Sequence, residues 1–169
     1  LAEMKRSVEV FIINHNENGS KDFETNLKRL ENQNLSTIHK INNASEIKLH
    51  ENSFIIDALL GTGINKAVDG LLAEVIDLIN TSKLPVISID VPSGLFCDTK
   101  PNHKHIIKAG KTFTFQRPKF TFLFADFHPY VGNFKVLDIG LDEKFIEGQA
   151  STNFIVTHKD IAQLLIHLL

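Results

Sequence analysis

The 169-residue chain has a single cysteine, Cys97, which excludes an intramolecular disulfide framework and fits a reduced compartment. Long apolar runs are missing as well. None approaches the roughly 20 residues a helix needs to cross a bilayer, and the opening LAEMKRS has no signal-peptide core. Neither sign of charge dominates: 18 Lys plus Arg stand against 20 Asp plus Glu, so no basic field gathers nucleic acid or an anionic membrane. No internal repeat and no low-complexity tract occurs. These absences leave a cytoplasmic globular protein without nucleic-acid or membrane partners as the expectation. One domain is expected at this length, and a hydrophobic share of 43% supplies a substantial core.

What is present alternates strand and helix patterns. VEVFII, Val8 to Ile13, is a short β-branched apolar run that leads into the polar NHNENGS, so it reads as a buried strand and its exit loop. Phe23, Leu27 and Leu30 then share one helical face between Asp22 and about Gln33. FIIDALLGTG gives a second strand, Phe54 to Ile56 or slightly beyond, running into a glycine turn. Leu72, Val75, Ile76 and Ile79 repeat at helical spacing, and LPVISID follows as a strand. Strand, helix, strand at these lengths predicts a parallel α/β sheet. Further strands are expected around Thr112 to Phe115 and Phe134 to Ile139, with most of the intervening phenylalanines in the core.

The sharpest local feature is VISIDVPSG, where a buried strand stops at Asp90, two residues before Pro92. A carboxylate there either caps the turn or faces the crevice at the carboxyl ends of the strands, where open parallel sheets bind ligands. Asp57 ends a second apolar run, FIID, just before Gly61-Thr62-Gly63. Two carboxylates at two strand ends can converge in one crevice. The glycines let the backbone approach a ligand and offer N–H groups to phosphate, without the Lys-Ser/Thr ending of a P-loop.

DALLGTGINKAVDG followed by INTSKLPVISIDVPSGLFCDT closely resembles the NAD(P)H-hydrate epimerases, the YjeF N-terminal domain family, and the resemblance continues through IIKAGKTFTFQRPKF and YVGNFKVLDIGL. It implies a Rossmann-like three-layer α/β/α sandwich with a mainly parallel sheet. It also implies epimerisation of the R and S forms of hydrated NADH or NADPH at C6 of the nicotinamide ring, for nicotinamide nucleotide repair. Carried over residue by residue, Asp57 and Ser93 would be ligands of a potassium ion, K+, as suits a hard cation. Gly61, Thr62, Gly63, Ile64, Asn65, Lys66 and Ala67 would hold the hydrated dinucleotide, with Lys66 where the family often has arginine. Asp90 would contact the substrate and transfer the proton. A homodimer is expected.

The chain departs from the family pattern in lacking its G-N-N-G-G-D-G loop; NHNENGS follows the wrong strand to replace it, and Gly110 stands where aspartate is common. LAEMKR reads as the last turns of a helix, so the fold is expected to be incomplete at its amino end. Residues 1–146 form the epimerase-like domain in this reading. Residues 147–169 form a linker, with a Thr157/Asp160 cap and an apolar face of Ile161, Leu164, Leu165 and Leu168, leading toward a fused ADP/ATP-dependent dehydratase domain. The competing reading is a noncatalytic YjeF-type ligand-binding or scaffold domain, against which Asp57, Gly61, Gly63, Asp90 and Ser93 stand together. A serine hydrolase through Ser93 is disfavoured because VPSGL lacks the G-x-S-x-G elbow. His103 and His105 read as an exposed turn rather than a metal site; Lys108 and Lys119 stay open between phosphate contact and surface, and the resemblance tips Lys108 toward a structural or site role.

Overall fold

A computed structural model describes residues 6–15, 19–61, 63–64, 66–156 and 158–166. The chain forms two compact units, Leu1–Asp138 and Ile139–Leu169. In the first unit the elements run β1 (Glu9–Ile13), α1 (Lys21–Gln33), β2 (Thr37–Ile41), β3 (Ile55–Asp57), α2 (Gly70–Thr81), β4 (Val86–Ile89), β5 (Lys111–Phe115), α3 (His128–Val131) and β6 (Asn133–Leu137). β1 pairs with β2, and β3, β4, β5 and β6 form a second sheet in that order. Every pair is parallel. The α/β class with parallel sheets is therefore present, as a Rossmann-like layered fold requires.

The helices form for local reasons. Ser20 caps α1 by accepting a hydrogen bond from the Phe23 amide at 3.1 Å, and Asn34 closes it in the left-handed conformation that asparagine tolerates. α2 carries Leu72, Val75, Ile76 and Ile79 at i, i+3, i+4 and i+7, and all four are buried. With Val86 of β4 and with Ile107 and Ala109 before β5, they make the main core. A second cluster, Val91, Leu95, Ile106, Phe122, Phe127 and Val131, lies under the loop after β4.

Two features differ from the sequence expectation. β2 has no counterpart there, because TIHKI holds only two isoleucines separated by His39 and Lys40, too little apolar signal to stand out. The phenylalanines after β5 are not mostly core. Of those between the two strands, Phe122 and Phe127 are buried, whereas Phe120 is half-buried and Phe124 is 45% exposed. The segment winds into short 3₁₀ turns at Phe120–Leu123 and Ala125–Phe127; Phe120 packs on Phe124 at 4.9 Å, and Phe134 of β6 packs on the buried Phe122 at 5.4 Å.

β1 pairs only with β2, and β3 only with β4, so each has one unpaired edge among the described residues. A groove of about 1820 Å³ is lined by both strands, by Phe23 and Leu27 of α1, and by Val75 and Ile79 of α2. Phe54 and Ile56 stay 50% and 44% exposed.

The second unit contains α4 (Glu143–Glu147), capped by Asp142, and α5 (His158–Ile166). The expected helix near the carboxyl end is thus found. Thr157, Leu168 and the side chains of Asp160 and Leu164 lie outside the described residues, as do Leu1–Lys5 of the expected amino-terminal helix.

Candidate active site

Asp57 ends β3 in register with Ser88 of β4 and is 1% exposed. Burying a carboxylate is costly unless donors satisfy it, and here they do. Oδ2 accepts from the Ser88 hydroxyl at 2.7 Å and the Ser93 amide at 2.8 Å; Oδ1 accepts from the Ser93 hydroxyl at 2.5 Å and the Leu59 amide at 3.4 Å. The Ser93 hydroxyl in turn accepts from the Leu60 amide at 3.0 Å. Ser93 therefore ties the loop after β4 to the start of the glycine loop after β3. Gly94 completes the turn at φ +93°, where a Cβ would collide with the His105 carbonyl, so only glycine fits.

Asp90 leans the other way, onto β5. Its backbone has φ +66°, in the sparsely populated left-handed region, with its amide donating to Phe113 O at 2.7 Å and the next amide closing back on Ile89 O at 2.9 Å. The neighbouring strand ends in the same way: Gln116 has φ +58°, its amide donates to Leu137 O at 2.7 Å, and Arg117 N closes on Phe115 O at 2.6 Å. Two adjacent strands thus stop in one kind of tight turn. The Asp90 carboxylate takes three donors on one oxygen: Oδ1 accepts from the Phe115 amide at 2.9 Å, Thr114 Oγ1 at 3.2 Å and Lys119 Nζ at 2.8 Å. Among the described residues nothing bonds Oδ2. Asp90 and Lys119 have side chains 17% exposed, so the pair is mostly withdrawn from water yet reachable.

The two carboxylates do not share partners, and no hydrogen bond joins them among the described residues. Above the Asp57 end, Gly61 and Gly63 have open space where a Cβ would stand. Lys66 and Ala67 are exposed and Ile64 is half-buried. At these two glycines the loop leaves space in which a ligand's phosphates can sit close to the backbone. Thr62 and Asn65 lie outside the described residues.

Other candidates resolve physically. The Ser93 hydroxyl is locked between Asp57 and Leu60, with no histidine bonded to it among the described residues, so the Ser–His pair of a serine hydrolase is not formed there. Burial foremost, and then Asp98 and Asp90, push the Cys97 thiol above its ordinary range against the opposing pull of Lys119, which keeps it a protonated, poor nucleophile. His105 bonds Asp77 at 3.1 Å while His103 packs its ring on Phe96 at 5.4 Å, and no cluster of metal-ligating side chains occurs among the described residues. Asn80 of α2 clamps the strand entrance by donating to Ile106 O and accepting from the Lys108 amide, both at 2.8 Å, so Lys108 is anchored through its backbone. For potassium, Asp57 and Ser93 are oxygen donors of the right class and adjacent. The Asp57 oxygens are already fully hydrogen-bonded, so a cation there would replace part of that set.

The family model described as "YjeF-related protein N-terminus" matches residues 1–121, a span that includes Asp57, the glycine loop, Asp90, Ser93 and Lys119. The chain belongs to this YjeF-related family. Among named relatives, the NAD(P)H-hydrate epimerase of Oenococcus oeni is 29% identical over 136 residues, covering 80% of this chain and 62% of the relative. The NAD(P)H-hydrate epimerase of Anaerococcus prevotii is 37% identical over 112 residues, covering 63% of this chain and 51% of the relative. The bifunctional NAD(P)H-hydrate repair enzyme Nnr of Moorella thermoacetica is 29% identical over 154 residues, covering 89% of this chain but 29% of the relative. The chain thus spans less than two thirds of the length of these YjeF-related relatives.

Two site residues escaped sequence reasoning. Ser88 and Thr114 are fully buried hydroxyls inside β4 and β5. A polar residue within an apolar strand is a readable signal, since a buried hydroxyl must find a partner. Lys119, which the sequence leaves open between phosphate contact and surface, bonds the Asp90 carboxylate instead; its partner lies on another strand end, and only the folded distance reveals the pair.

Proposed function

We propose that the chain carries the acid–base site of an NAD(P)H-hydrate epimerase, an isomerase that interconverts the R and S forms of hydrated NADH or NADPH for nicotinamide nucleotide repair. The observation behind this reading is Asp90: one carboxylate oxygen held by three donors and the other without a partner among the described residues, at the carboxyl end of a parallel sheet. The names of the relatives support the substrate class. Protonated Asp90 donates its proton to the C6 hydroxyl as the C–O bond breaks, the ring nitrogen lone pair forms the iminium, and water leaves. Water returning to the opposite face of C6 gives its proton to Asp90, and the centre is inverted. Electrons balance without a redox partner. Gly61, Thr62, Gly63, Ile64, Asn65, Lys66 and Ala67 hold the dinucleotide in this reading, so that the ring meets Asp90. Asp57 and Ser93 are the residues that would hold potassium, which would supply positive charge near the phosphates; no proton transfer passes through it. A homodimer and a fused dehydratase domain belong to the same proposal for the parent protein, the latter supported by relatives named bifunctional.

The test is Asp90→Asn in the full-length protein, with the two hydrate epimers separated by chromatography. Asparagine tolerates the left-handed backbone but cannot cycle a proton. Interconversion is expected to fall by about 100-fold or more with the circular dichroism spectrum unchanged. A rate within a few-fold of the parent removes Asp90 from this role. Equal rates with potassium or with a large organic cation in its place remove the cation from the proposal.

A further inference from the structure

Lys119 is the one cation bonded to the Asp90 carboxylate among the described residues, and the chain goes to some length to place it. The loop from β5 turns at Gln116, and Lys119 then opens the 3₁₀ turn by accepting from the Phe122 amide at 3.0 Å. Thr121 nails that turn to the loop after β4, its hydroxyl donating to Phe96 O at 2.9 Å and its amide to Cys97 O at 3.0 Å. The loop holding Asp90 and the loop holding Lys119 are therefore bolted together a few residues beyond both side chains. The ammonium reaches Oδ1 of Asp90 at 2.8 Å and the Phe115 carbonyl at 3.4 Å. These contacts fix it on one side of the carboxylate.

We propose that Lys119 is the positioning residue of Asp90: by occupying Oδ1 together with Thr114 and the Phe115 amide, it leaves Oδ2 as the single oxygen that exchanges a proton with the substrate hydroxyl. This rests on the reading of Asp90 as the acid–base group. A carboxylate free to present either oxygen meets the hydroxyl in several geometries. One pinned through Oδ1 meets it in one, and fixed orientation of a reacting group is worth orders of magnitude in rate. Lysine acts here through Asp90 and not on the substrate, which distinguishes it from a phosphate-binding cation.

A double-mutant cycle in the full-length protein tests this, using Asp90→Asn, Lys119→Met and the pair, with kcat and KM for each. Lys119→Met is expected to lower kcat by about 10-fold or more while KM moves less than about threefold, because uniform binding is untouched. In the Asp90→Asn background the same substitution is expected to cost less than about threefold, since the group it positions is already disabled. Lys119→Arg keeps a donor at the carboxylate and is expected to recover most of the loss, which also guards against a methionine variant that fails to fold. A rise in KM as the main effect, or an equal further loss in the Asp90→Asn background, overturns the proposal in favour of direct substrate contact. If Asp90→Asn itself is active, the acid–base reading fails; if it is inactive and Lys119→Met is not, only the positioning role fails.

Discussion

The first unit holds two strand–helix–strand segments written in the same sequence rhythm, β1–α1–β2 and β3–α2–β4, and they fold to different ends. α2 buries five residues, Leu72, Ala73, Val75, Ile76 and Ile79, whereas α1 buries none. No residue of β1 is buried, and Ile41 at the end of β2 is the one member of its segment in the core among the described residues. Both helices are amphipathic, so periodicity is not what separates them. α2 meets Val86, Ile107 and Ala109 across its apolar face. Phe23 and Leu27 of α1 line a groove instead, together with the unpaired edges of β1 and β3. An apolar stripe therefore states which side of a helix faces inward, and burial requires something on the other side.

The largest effect that separates the two segments is a cavity. Ile76→Ala removes a fully buried side chain and is expected to cost about 3–4 kcal/mol, while Leu27→Ala, from a half-buried position, is expected to cost less than about 1 kcal/mol. Urea unfolding of both variants measures this, and equal costs would break the comparison by showing α1 to be as well packed as α2. Next comes charge. Asp57→Ala strands the Ser88 hydroxyl and both Ser93 donors inside the protein and is expected to cost about 3 kcal/mol. Glu9→Ala in β1 loses only the contacts to His39 and His50 at the surface, expected to be worth less than about 1 kcal/mol by the same unfolding measurement. The smallest effect is in pH. Burial foremost, then the neighbouring His105, lowers the pKa of His103 beneath its ordinary value. The unfolded chain then takes up the proton first as pH falls below about 6.5, so stability declines through that window and is retained above it. His103→Gln is expected to flatten this part of the stability profile, and an unchanged slope assigns the acid sensitivity to other groups.

Much of the fold was legible in the sequence. β1, α1, α2, β4 and β5 fall within a residue or two of their expected limits, because each combines an apolar pattern with a hard stop: Ser20 before α1, Asp90 and Pro92 after β4. β2 was not legible, since its burial falls on one residue, Ile41. In β5 the hydroxyl-bearing positions face the core. Thr112 and Thr114 are the buried positions, and they can be because Thr112 donates to Val131 O at 2.7 Å and Thr114 to Asp90. At the site, Asp57 and Asp90 were marked by apolar strands that end in a carboxylate, and Ser93 by the Pro-Ser-Gly turn that follows. Their pairing was not marked, because Lys119 and Ser88 come close to them only through the stacking of strands distant in sequence.

The left-handed backbone at Asp90 has an evolutionary consequence. Asparagine, glycine and aspartate are the residues that accept this conformation readily, so neighbours in sequence space that keep the fold sound at this position abolish the carboxylate. Glutamate, which would preserve an acid, brings an extra methylene into a backbone region that longer side chains avoid. With Asp90 in its proposed acid–base role, inheritance at this position has few intermediate outcomes: a lineage keeps aspartate, or it drifts to a protein that binds without turning over. Under that proposal, a descendant that had exchanged this aspartate for asparagine would keep the backbone turn and survive as a ligand-binding domain.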